Sequence, residues 1–102
     1  MSSLTDRGRI LRAREIRDDQ VQVADDVAVI RVKIKQYEVF IDPLRRRITH
    51  NCEDWEKTAS QKKFCKHVAK VFFSLSPERA EALLTSIERD RDSWSFHVKN
   101  PS

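Results

Sequence analysis

His50-x-Cys52 and Cys65-x-His67, separated by twelve intervening residues, place both cysteines of the chain and two of its three histidines in two matched pairs. Two thiolates and two neutral imidazoles are the donor set of a tetrahedral structural zinc site, closed by four protein side chains with no position left for water. A chain that uses this set must bring the two pairs together. That demand constrains the fold more than any local propensity. Two alternatives stand beside zinc: a disulfide between Cys52 and Cys65, or no shared site, with the cysteines as small buried apolar residues and the histidines on the surface or in packing roles.

The two pairs require different backbones. Residues two apart on an extended strand point to one side, so a strand through Ile48-Thr49-His50-Asn51-Cys52 presents His50 and Cys52 together. Inside a helix, residues two apart diverge by about 200°. Cys65 and His67 therefore converge only if Cys65 lies just before a helix and His67 in its first turn. The apolar run Val68-Ala69-Lys70-Val71-Phe72-Phe73 predicts that helix. A thiolate at its start gains from the positive N-terminal field.

The segments Tyr37-Glu38-Val39-Phe40-Ile41-Asp42, Ile48-Thr49-His50-Asn51-Cys52-Glu53-Asp54-Trp55 and Phe64-Cys65-Lys66-His67-Val68-Ala69-Lys70-Val71 together resemble a SWIM zinc finger. That family carries Cys-x-Cys, a variable spacer and Cys-x-His, with Asp-Trp or Asp-Phe after the first pair and Cys-Lys-His ahead of an apolar helix. The resemblance covers about residues 37–75, and His50 stands where the family has its first cysteine. It implies a zinc-bound ββα module with His50, Cys52, Cys65 and His67 as ligands. SWIM fingers occur in transposase-like proteins, in helicase-like ATPases and in partners of RecA-family recombinase paralogues during homologous recombination. A short free-standing chain is similar to the small, archaeal members of that last group.

With 102 residues the chain is expected to be one domain, large enough for a core and small enough to benefit from a metal staple. It has no apolar run of membrane-spanning length, and its first residues lack a signal-peptide profile, so the expected location is the cytoplasm, where thiols stay reduced. Charged residues make up 35% of the chain and glycine occurs once, a combination common in heat-adapted proteins. The formal charge of +4 permits nucleic-acid binding without proving it.

The expected architecture is α+β: a small antiparallel meander, the zinc module and flanking helices. A helix is predicted over about 6–16, with Thr5 as N-cap, an apolar stripe of Leu4, Ile10 and Leu11, and arginines on the remainder. Alternation of Ala28, Ile30, Val32 and Ile34, then of Tyr37, Val39 and Ile41, predicts two strands after a leading Val21-x-Val23 and a turn at Asp25-Asp26; Pro43 ends the last. Ser76-Pro77-Glu78 predicts a second long helix over about 77–90, with Leu83, Leu84 and Ile87 as a core or partner-facing stripe. Trp94, Phe96 and Val98 alternate at strand spacing, and their placement stays open.

Within the spacer, Trp55 reads as packing against the site, and Asp54 as an acceptor for a ligand histidine or a cap on the following turn. No catalytic constellation stands out, and His97 sits alone, so an enzyme is the least supported class. Two functions remain. One is weakly sequence-selective DNA binding through Arg45, Arg46, Arg47, Lys62 and Lys63, with Lys57, Lys66 and Lys70 nearby; its rival is a mixed charged surface, given 16 acidic residues. The other is a protein adaptor whose implied partner is a RecA-family recombinase paralogue, docking on the Leu83/Leu84/Ile87 stripe.

Overall fold

A computed structural model describes residues 3–26 and 28–99. The fold is α+β. A five-stranded sheet, β1 (Val21–Asp25), β2 (Ile30–Ile34), β3 (Tyr37–Asp42), β4 (Arg47–His50) and β5 (Ser95–Val98), runs in the order β1-β2-β3-β4-β5. The first four strands form an antiparallel meander, and β5 adds parallel to β4 after the helices α1 (Arg7–Glu15), α2 (Glu53–Ala59), α3 (Lys66–Ser74) and α4 (Pro77–Arg89) have been placed.

Period-two patterning decides which face of the sheet is covered. On β2, Ile30, Val32 and Ile34 are buried while Arg31 and Lys33 are exposed. Register carries the same face across the sheet, because Val32 pairs with Val39 and Ile41 with Ile48. These side chains meet Trp55, Phe64, Val68, Val71, Leu83 and Ile87 from the helical layer in one core. Among the described residues, no helix covers the opposite face.

The N-cap of α1 is Asp6, whose carboxylate accepts from the Arg9 backbone N–H, and not Thr5. Thr5 is buried and donates its hydroxyl to the Phe64 carbonyl, while the Phe64 N–H donates to the Leu4 carbonyl. The expected stripe divides accordingly: Leu4 is buried ahead of the helix, Leu11 is exposed, and Ala13 is buried on the helix itself, which packs against α3. On α4, Leu83 and Ile87 lie in the core and Leu84 packs against it, so the stripe read as a partner surface is taken up by the chain's own sheet and helices. An amphipathic period names a face to be buried and cannot say by what.

Among the described residues, three other than glycine adopt positive φ: Lys35, Arg46 and Lys62. Lys35 begins the two-residue link between Ile34 and Tyr37, and Arg46 lies in the β3–β4 turn, where Asp42 accepts from the Arg45 backbone N–H. The single glycine, Gly8, is spent inside α1.

Candidate metal centre

His50 is the last residue of β4, and Cys52, itself in extended conformation, is the N-cap of α2. The strand expected to carry both thus ends at His50. Asn51 turns its side chain to accept the Glu38 N–H, extending the β3 edge by one bond after the ladder has stopped. Cys65 is the N-cap of α3 and His67 lies in its first turn, the arrangement that their spacing demands. The spacer is mostly helical: Glu53, Asp54 and Glu56 in the first turn of α2 complement its N-terminal field.

All four ligand atoms lie within 4.8 Å of one another, and all four residues are buried. The two sulfurs stand 3.7 Å apart, far beyond a disulfide bond, and both cysteines are free. Two sulfurs each about 2.3 Å from one tetrahedral ion are about 3.8 Å apart, so the separation fits a shared metal. His50 Nδ1 meets the Glu38 carbonyl at 2.6 Å and must donate its proton there, which leaves the Nε2 lone pair facing the cluster. His50 Nε2 and His67 Nδ1 are both buried without a hydrogen-bond partner. Two orphaned imidazole nitrogens beside two thiols are costly as they stand and well matched to a cation. A His2Cys2 group of this kind could hold a metal ion.

The sulfurs support the same conclusion. The hydrogen bond with Cys65 holds Cys52 well below the ordinary thiol range, with His50 and His67 adding to it, while burial and then the facing Cys52 sulfur push Cys65 up. One thiolate therefore suppresses ionisation of the other. A cation between them lets both ionise.

Aromatic rings enclose the cluster. Tyr37 lies 4.6 Å from the His67 ring centroid, and Trp55 meets His50 edge-on at 5.9 Å. Trp55 is fully buried, stacks on Phe96 and donates its indole N–H to the His97 carbonyl at 2.7 Å, fastening β5 beside the site. The expected packing role of Trp55 is thus met, and the Trp94–Val98 segment is placed.

Asp54 touches no ligand histidine. Its two oxygens accept from Nε and Nη2 of Arg9, each at 2.8 Å, which lowers the Asp54 carboxyl below the usual range. Through Arg9 the N-terminal helix braces the first ligand pair, and through Leu4 and Thr5 the segment before it braces Phe64, next to Cys65. Sequence reasoning missed both braces. The sequence carried no local signal for the first: Arg9 and Asp54 lie 45 positions apart, one arginine–acid combination among many.

Of the residues proposed for DNA contact, Arg46 and Lys62 both meet the Trp94–Ser95 segment, through the Arg46 carbonyl and the Lys62 ammonium, and several of the set are committed to partners. Arg45 pairs with Asp42, and Arg46 lies 3.9 Å from Asp90. Lys62 donates to the Trp94 carbonyl and lies over Phe96, and Lys70 is buried against Asp18 at 2.7 Å. Arg47 and Lys63 are exposed. No helix among the described residues is long and apolar enough to cross a membrane.

No protein-family model, curated protein or solved structure matches this chain. The buried His2Cys2 cluster is left as the guide to function.

Proposed function

We propose that this chain is a non-catalytic, zinc-stapled module of SWIM type that associates with nucleic acid, in a setting such as recombination or repair. The observation that carries the metal is the buried cluster itself, with two unpartnered imidazole nitrogens aimed at two sulfurs. The donor set suits zinc because thiolate and imidazole together disfavour the hard cations that prefer oxygen. Four buried protein ligands complete a tetrahedron, the arrangement of a structural site. Bound there by His50, Cys52, Cys65 and His67, zinc supplies the charge that keeps both thiolates ionised and links the end of β4 to the starts of α2 and α3.

Nucleic-acid association rests on the excess of cations and on the exposed Arg47 and Lys63, which suit phosphate contacts with little base selectivity. A second reading, a protein adaptor for a partner such as a RecA-family recombinase paralogue, draws on Leu11 and Phe73. Both are exposed, on the mutually packed helices α1 and α3. Elemental analysis of native protein tests the metal, with one equivalent of zinc per chain expected; under about a tenth of an equivalent would refute it. Binding to DNA that falls linearly in logarithm with the logarithm of salt supports the first function, whereas salt-insensitive capture of a protein supports the second.

A further inference from the structure

We infer that the open face of the sheet binds single-stranded nucleic acid, with Phe40 as the stacking platform and Arg31, Lys33, Arg47 and Lys99 as phosphate contacts. The inference rests on the nucleic-acid reading above and moves the binding surface away from the loops around the metal.

Register assembles this face. Phe40 pairs laterally with Arg31 on β2 and with Thr49 on β4, so all three project from the side opposite the core. Phe40 is only half-buried at the middle strand, and the Arg31 guanidinium lies 5.4 Å from its ring centroid. A base replacing that guanidinium on the ring keeps stacking area and releases Arg31 to a phosphate. Around the ring the face forms a concavity of about 750 Å³ that Arg31, Lys33 and Lys99 help to line.

Charge selects the occupant. Among the described residues of this face, the four cations Arg31, Lys33, Arg47 and Lys99 are set against one exposed carboxylate, Glu38, which pairs in register with Lys33 and lies 3.9 Å from Lys99 with both side chains mostly exposed. Asp42, the other acid on these rows, is buried and held by Arg45. A polyanion with planar faces satisfies both the cations and the ring. A duplex hides its base faces in its own stack, whereas a single strand offers them.

The test uses zinc-loaded full-length protein and fluorescently labelled oligothymidylate, oligouridylate and a blunt duplex, read by anisotropy at low salt. The single strands should bind more tightly than the duplex, and the thymidylate and uridylate arms distinguish DNA from RNA. Phe40→Ala should weaken single-strand binding about tenfold, the scale of one lost base stack, with Phe40→Tyr close to the original. Lys33→Glu should weaken it and flatten the salt dependence, with melting temperatures confirming that each variant is folded. Arg7→Glu, exposed on α1 and off this face, should leave affinity within about twofold, as one cation away from the contact surface, and Lys63→Glu reports on the loops around the metal. Single-strand binding that ignores Phe40→Ala and Lys33→Glu but is lost in Lys63→Glu overturns the sheet-face site while sparing the nucleic-acid reading. Absence of binding to any of the three by the unaltered protein overturns both.

Discussion

The two faces of the sheet are made by the same strands, yet one is structural and the other is available for binding. On the inner face, Val39 and Ile41 bury against helices and His50 reaches the His2Cys2 cluster; on the outer face, Phe40 and Thr49 sit between them in sequence and face away. Neighbouring residues thus carry opposite duties. A change to the inner face should appear as lost stability, and a change to the outer face as lost binding with the fold intact.

Five substitutions sharpen that contrast and one probes its exception. The largest effect belongs to the cluster: Cys65→Ala, or strong chelation of the native protein, should cost at least about 3 kcal/mol and lower Tm by roughly 12 °C or more. A thermal melt with unchanged Tm would remove the metal from the stability of the inner face. Trp55→Phe comes next, at about 1–2 kcal/mol, because the His97 carbonyl loses its buried donor while most of the stack on Phe96 is kept. Chemical denaturation measures it.

The Arg9–Asp54 brace is smaller. Each single change, Arg9→Ala or Asp54→Ala, should cost about 1 kcal/mol, with the double mutant costing little more than either, since the pair is bidentate and only partly exposed. Additive single effects in the cycle would show that the helix does not brace the first ligand pair through this contact.

Asp42 is the exception on the outer face, with a structural duty in the β3–β4 turn. The Arg45 backbone N–H and then its guanidinium hold the Asp42 carboxyl below the usual range. A carboxyl depressed in the folded state contributes stability that is fully present above its unfolded value and lost as pH falls through the folded value. Asp42→Asn should therefore flatten the loss of stability in acid below about pH 4, while changing little of its slope near neutrality. Melting curves across that range decide it. The smallest effect is expected of Lys33→Ala, an exposed change without an ion pair to break, within about 0.5 kcal/mol of the original. A larger loss would mean that the open face also serves the fold.

Much of the inner face was legible in the chain. Alternation in β2 and β3, the Ser76-Pro77 helix start and the spacing of Cys65 and His67 are local patterns whose physical causes act within a few residues, so the sequence carries them directly. The candidate ligand set was legible for the same reason, because four donors of two matching types are rare in a chain with so few cysteines and histidines.

What tertiary structure decided is of another kind. The spacer's helix, with Cys52 as its cap instead of a strand residue, forms where Trp55 can be buried against His50 and Phe96. Arg9 became a brace rather than a surface cation, Lys70 became buried beside Asp18, and Leu83 and Ile87 became core rather than contact surface. Parallel addition of β5 beside β4 is accompanied by a contact of the same long-range kind, the indole N–H of Trp55 donating to the His97 carbonyl. Local sequence sets which side chains must be hidden or paired, by period, capping and charge. Which distant residue does the hiding or pairing is set by chain closure over many tens of residues, where no local propensity distinguishes one partner from another.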